Sequence, residues 1–145
     1  MVKFLETPAG QKLAYSFIKG TGPTVIFLGG FKSDMEGSKA IFLEKWAKKR
    51  NRSFLRFDYS GHGQSSGDFH NLGIGDWFND AKQIIELKVK NGIILIGSSM
   101  GGWISLLLSR ELGRRLKGLI TIAAAPDFTE ESMCCLLYTS PSPRD

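Results

Sequence analysis

Residues 93–103 read Ile93-Ile94-Leu95-Ile96-Gly97-Ser98-Ser99-Met100-Gly101-Gly102-Trp103, and the fold turns on them. The four leading aliphatic residues form the continuous apolar run of a strand buried on both faces. From Gly101 to Leu112 a largely apolar helix is expected. Between the two lies Gly97-Ser98-Ser99-Met100-Gly101, which fits G-x-S-x-G with Ser99 central. Were Ser98 central, Ile96 and Met100 would stand where glycines are required. The spacing has a steric reason. A serine exposed on a tight strand-to-helix turn sits in strained backbone, and glycines two before and two after remove the Cβ atoms that would crowd it. The backbone N–H of Met100 then lies at a helix N-terminus, where developing negative charge is favoured. The plainer alternative is a serine that only caps the helix. The strand directly before and the helix directly after favour Ser99 as a nucleophile.

Working outward, strands and helices alternate. Phe4–Leu5 and Leu13–Ile18 flank a Pro8-Ala9-Gly10 turn and read as an opening antiparallel hairpin. Thr24–Leu28 is a buried strand closed by Gly29-Gly30. From Ser38 to Arg50, Ile41, Phe42, Trp46 and Ala47 recur at helical spacing, and Phe54–Asp58 is the next short strand. A helix around Trp77–Val89 carries Trp77, Ala81, Ile84, Ile85 and Val89 on one stripe. Leu116–Ala125 is the last clear strand. Helices between strands at these lengths indicate parallel β-α-β units in one α/β layer domain, with no internal repeat and no dividing linker.

The bulk properties fit that class. A chain of 145 residues, 42% hydrophobic and 23% charged, can hold one domain with a real core. No run approaches the ~18 apolar residues of a membrane span. The opening MVKFLETPAG lacks a signal-peptide core, so a cytoplasmic location is expected. The net charge is +5. Its blocks at Lys48, Lys49, Arg50 and Arg52 and at Arg114, Arg115 and Lys117 follow helix-like segments, where cations complement the dipole, and they do not argue for nucleic acid. The adjacent Cys134 and Cys135 suit neither a metal site nor a disulfide framework. From Cys134 the periodicity stops and CLLYTSPSPRD follows. Residues 134–145 are therefore read as foreign sequence or a disordered tail, and residues 1–133 as the domain.

Gly61-His62-Gly63-Gln64-Ser65-Ser66-Gly67 superficially suggests a dinucleotide loop. Its spacing is G-x-G-x-x-x-G, and further loop residues separate it from the next helix, so no helix N-terminus waits for a pyrophosphate. No cofactor and no metal are expected.

Three segments, VIFLGGFKSDMEGSKA, LRFDYSGHGQSSGDF and LIGSSMGGW, together resemble the α/β-hydrolase family over about residues 3–133. They are similar in particular to its mitochondrial palmitoyl-protein thioesterase and acyl-glucuronide hydrolase branch and the bacterial relatives of that branch. The resemblance implies an α/β-hydrolase fold, a mostly parallel sheet with helices on both faces, of which this sequence carries the N-terminal portion. It implies cleavage of carboxylic esters or acyl thioesters through a Ser99 acyl-enzyme, on a small-molecule acyl substrate. The loop Gly29-Gly30-Phe31 then supplies the Phe31 N–H as an oxyanion donor beside that of Met100, and Asp58, Gly61, Gly63 and Ser65 form a turn that shapes the loop beside the site. Phe31, Met35 and Trp103 are compatible with an acyl pocket, although such residues more often belong to the core. In this fold the triad follows the order serine, acid, histidine. His62 and His70, the two histidines of the sequence, both precede Ser99. His62 reads as structural or rim-lining and His70 as a surface residue. Asp127 is an early candidate for the acid. The histidine and the family's usual acid are expected outside this sequence, which would leave the chain as it stands nearly inactive and its last strand an unpaired edge. The alternative from another class is a non-catalytic α/β-hydrolase-like binding or scaffold protein.

Overall fold

The computed structural model describes residues 2–122. Its strands are β1 (Lys3–Glu6), β2 (Lys12–Ile18), β3 (Thr21–Leu28), β4 (Arg52–Phe57), β5 (Ile93–Ser98) and β6 (Leu116–Ile122). Its α-helices are α1 (Ser38–Lys49), α2 (Ile74–Lys88) and α3 (Met100–Leu112), with short 3-10 turns at Phe69–Asn71 and Gly113–Arg115. The strands form one sheet in the order β1-β2-β4-β3-β5-β6. β1 and β2 pair antiparallel, as do β2 and β4, whereas β4, β3, β5 and β6 run parallel. This is the expected mostly parallel sheet with helices on both faces.

The central strands alternate because each face has its own cover. Val25 and Phe27 of β3 and Ile96 of β5 join Ala40 and Ala47 of α1 in one cluster. On the opposite face Ile26, Leu28 and Leu95 pack with Trp77, Ala81, Ile84 and Ile85 of α2 and with Ile104 and Leu108 of α3. Burying each large aliphatic side chain contributes about 1.5–3 kcal/mol, so two covered faces supply the driving force for this layer order.

The stripe expected on α2 is the one buried, from Trp77 to Ile85, with Val89 just beyond the helix end also buried. α1 matches expectation only in part. Ala47 is buried and Trp46 packs against the same cluster, but Phe42 is 68% exposed and the other buried residues are Ala40 and Glu44. The inner stripe was hidden from hydrophobic periodicity because its middle member is a glutamate. Glu44 is buried against Arg56 of β4, whose Nε donates to Oε2 at 3.0 Å, and against the Ser16 hydroxyl of β2 at 3.3 Å. Two further boundaries move. β3 starts at Thr21 rather than Thr24, its pairing with β4 irregular between Thr21 and Val25 around Pro23, which has no N–H to give a ladder. α2 starts at Ile74, because the Asp76 carboxylate accepts the Gly73 N–H at 2.9 Å and secures the first turn. Among the described residues β6 pairs with β5 alone.

Candidate active site

Ser99 occupies the single-residue bend between β5 and α3, with φ 54° and ψ −119°. A non-glycine residue in that region costs on the order of 1–3 kcal/mol and persists only where its surroundings impose it. The surroundings here are steric. A Cβ on Gly97 would collide with the Gly101 backbone and with the Ser105 hydroxyl, 2.5 Å away. A Cβ on Gly101 would land on the Leu28 carbonyl. Strand, turn and helix are thus pressed together until the chain can reverse only by forcing Ser99 into positive φ. The bend is tied down by Ser99 N–H to the Ile122 carbonyl at 3.0 Å and Gly102 N–H to the Ser99 carbonyl at 2.9 Å. Ser99 is half-buried, and Ser98 beside it is buried on the α1 face of the sheet.

The loop after β3 lies directly against this bend. A Cβ placed on Gly30 would sit 3.2 Å from Ser99 Cβ and 3.8 Å from its Oγ. Phe31 follows, 40% exposed, its ring 5.2 Å from that of Phe69 and 5.9 Å from that of Trp77. Met100 opens α3, so its N–H has no carbonyl within the helix to bond, while its side chain is fully buried. A cavity of about 390 Å³ opens here, its wall including Phe27, Gly30, Phe31, Lys39, Ser98 and Ser99. Of the three apolar residues considered for an acyl pocket, Phe31 lines this cavity. Met35 and Trp103 do not, and Met35 is 2% exposed within the core.

The segment 58–65 holds that loop in shape. The Asp58 carboxylate accepts the Met35 N–H at 2.7 Å and the Gln64 N–H at 3.0 Å, tying the two loops to one side chain. Burial pushes the Asp58 carboxyl above its ordinary range; these two hydrogen bonds oppose the rise, and the charges of Asp34 and Glu36 add to it. Ser65 donates to the Asp58 carbonyl at 2.7 Å and accepts the Ala14 N–H at 2.8 Å, which anchors the turn to β2. The Tyr59 hydroxyl donates to the Gly29 carbonyl at 2.9 Å. His62 is 4% exposed: its Nδ1 bonds the Ser60 carbonyl and its Nε2 meets the Lys32 N–H, each at 3.1 Å. His70 is exposed on the 3-10 turn. The motif of Asp58, Gly61, Gly63 and Ser65 therefore shapes the loop beside Ser99, as expected.

Two features escaped the sequence reading. One is the buried Arg56–Glu44 pair, whose signal was an arginine inside the apolar strand Phe54–Phe57. The other is the positive φ of Lys32, 62°, in the loop after β3. Asp127 and residues 134–145 lie outside the described residues. Among the described residues, no cluster of His, Cys, Asp or Glu has the makings of a metal site, and no helix is long and apolar enough to cross a membrane.

A family model described as serine aminopeptidase, S33, matches residues 22–140. The palmitoyl-protein thioesterase ABHD10, mitochondrial, of Rattus norvegicus is 38% identical over 126 residues, covering 87% of this chain and 42% of that protein. The chain therefore spans less than half the length of that relative. The solved structure of α/β-hydrolase domain-containing protein 10 from mouse superposes with a TM-score of 0.85 at 33% identity, over 97% of this chain and 55% of that one. An esterase from Exiguobacterium antarcticum shares the fold, with a TM-score of 0.78 at 24% identity over 92% of this chain and 49% of that one. The family match spans most of the chain and the sheet order agrees with it: this protein belongs to the α/β-hydrolase family, in the group that the serine aminopeptidase S33 model describes.

Proposed function

We propose that this protein is a serine hydrolase that cleaves carboxylic esters or acyl thioesters through an acyl-enzyme on Ser99. The observation that carries the reading is the forced positive φ of Ser99 on a strand-to-helix bend, with the Gly30 backbone packed against its side chain. Strain of this kind is kept where it aims a reacting group.

In the first half-reaction Ser99 Oγ bonds the acyl carbon and passes its proton to a general base. The tetrahedral oxyanion lies between the N–H groups of Phe31 and Met100. As it collapses, the C–O or C–S bond breaks and the alcohol or thiol leaves with that proton. Water, activated by the same base, then releases the acid. Losing one oxyanion donor typically costs about 3–4 kcal/mol of transition-state stabilisation. His62 is committed to Ser60 and Lys32, and His70 is a surface residue. The base is therefore assigned to a histidine outside this sequence, working with an acid for which Asp127 is the candidate within it. The name of the rat relative supports an acyl thioester as the substrate class, and Phe31 on the cavity wall is suited to an acyl chain.

The test uses the protein expressed from its complete gene. A fluorophosphonate probe is expected to label it at Ser99, located by peptide mass spectrometry. Ser99→Ala should abolish both labelling and hydrolysis of a long-chain acyl thioester. A folded wild-type protein that ignores the probe would reject the proposal in favour of a non-catalytic binding protein of the same fold.

A further inference from the structure

We infer that His62 is a positioning residue, setting the orientation of the loop whose Phe31 N–H receives the oxyanion; this rests on the oxyanion role proposed above. Three consecutive anchors run from the 58–62 segment to the loop after β3: Tyr59 to Gly29, His62 to Lys32 and Asp58 to Met35. The first and third hold the ends of the loop. The His62 bond holds its middle, at the peptide that joins Phe31 to Lys32, and Lys32 stays at φ 62° there.

The imidazole suits the task because both its nitrogens are assigned by their partners. The Ser60 carbonyl is an acceptor only, so Nδ1 carries the hydrogen and donates to it. Nε2 is then left with a lone pair for the Lys32 N–H. The ring is caged edge-on by Tyr59, Phe69 and Trp77 at centroid distances of 5.5, 5.2 and 5.0 Å, which hinders its rotation. Two of those rings, Phe69 and Trp77, also contact the Phe31 ring. One aromatic cluster therefore fixes the acceptor and the side chain of the residue being oriented. A buried histidine with no claim on Ser99 thereby gains a role that triad reasoning does not give it.

The experiment compares wild type, His62→Phe and His62→Gln in the protein from its complete gene, with Lys32 amide hydrogen exchange as an activity-independent measurement. Phenylalanine keeps the ring packing and removes both polar contacts, whereas glutamine restores an acceptor near Nε2. A misplacement of about 1 Å costs on the order of 10²-fold in rate. His62→Phe, still folded, is accordingly expected to lose about ten- to a hundredfold in kcat with KM within about twofold. His62→Gln should recover most of that loss. Lys32 exchange should accelerate about tenfold or more in His62→Phe and stay close to wild type in His62→Gln. Unchanged kcat in a folded His62→Phe, or equal losses in both variants, would overturn the inference. If wild type itself fails to turn over or label, the proposed function falls. The inference as stated falls with it, and the exchange data then decide only whether His62 orders the loop.

Discussion

At Ser99 the usual ranking of two small residues should invert. In ordinary strands and helices glycine is less stable than alanine by roughly 0.5–1 kcal/mol, because it has more backbone freedom to lose. Ser99 is held at φ 54°, where alanine keeps the steric penalty and glycine does not. Ser99→Gly is therefore expected to be more stable than Ser99→Ala by about 1 kcal/mol, measured by urea unfolding of the two variants side by side. An alanine variant at least as stable as the glycine one would mean that the bend is relaxed, and the strain on which the proposed role of Ser99 rests would go with it. The glycine pattern was readable in the sequence for this reason: Gly97 and Gly101 are demanded by clashes with Gly101 and Leu28, both tied to the same crossing of strand and helix. His62 was not readable in the same way. Its partner Lys32 is distant in sequence, and nothing local marks a backbone N–H as needing an acceptor.

Among the elements, α1 is joined to the sheet by charge as well as by apolar contact. Arg56 of β4 reaches Glu44 through Nε at 3.0 Å and Nη2 at 3.3 Å, and donates from Nη1 to the Met35 carbonyl at 2.9 Å. Its side chain is 7% exposed and that of Glu44 11%. Such a pair is weak evidence of net stabilisation, because desolvating both ions offsets most of the attraction. Removing one partner is another matter. Arg56→Met fills similar space but strands the Glu44 carboxylate with the Ser16 hydroxyl, and is expected to cost about 3–5 kcal/mol in chemical denaturation. The double variant Arg56→Met/Glu44→Leu should recover most of that loss; equal stability of single and double variants would show that Glu44 finds water instead. The same pair explains why the inner face of α1 was read only in part. Periodicity assigns apolar residues inward, and a glutamate becomes an inward residue only through an arginine in the strand that follows.

Across the molecule, the opening hairpin, the parallel β-α-β units, the two covered faces and the Ser99 bend follow from local patterns: apolar runs, a helical stripe and glycines at fixed offsets, whereas the strand order does not. What stayed hidden depends on partners distant in the chain, including the loop anchors of Tyr59 and His62 and the ions beneath α1. Two buried carboxyls, Glu44 and Asp80, give the fold a response to pH, and they pull in opposite directions. Burial raises the pKa of Glu44, but the Arg56 hydrogen bond and charge, together with Lys48 and Ser16, outweigh it, and the net value falls below the ordinary 4.5. Its contribution is therefore present above the unfolded value and lost as pH drops through the folded one. Asp80 behaves oppositely. Burial pushes its pKa above the ordinary 3.8, and the hydrogen bond from the Ser60 N–H only partly opposes that. The folded state then holds a proton the unfolded state has released, so this contribution is full below 3.8 and disappears as pH rises through the folded value. Asparagine keeps an acceptor for the Ser60 N–H, 2.7 Å from Asp80 Oδ2, without a charge to desolvate. Asp80→Asn should therefore be at least as stable as wild type at pH 7 and lose that relative advantage toward pH 4, in guanidinium titrations at stepped pH. A constant difference across that range would show that Asp80 does not titrate between the two states, and that its charge is solvated despite its place beneath Ser60.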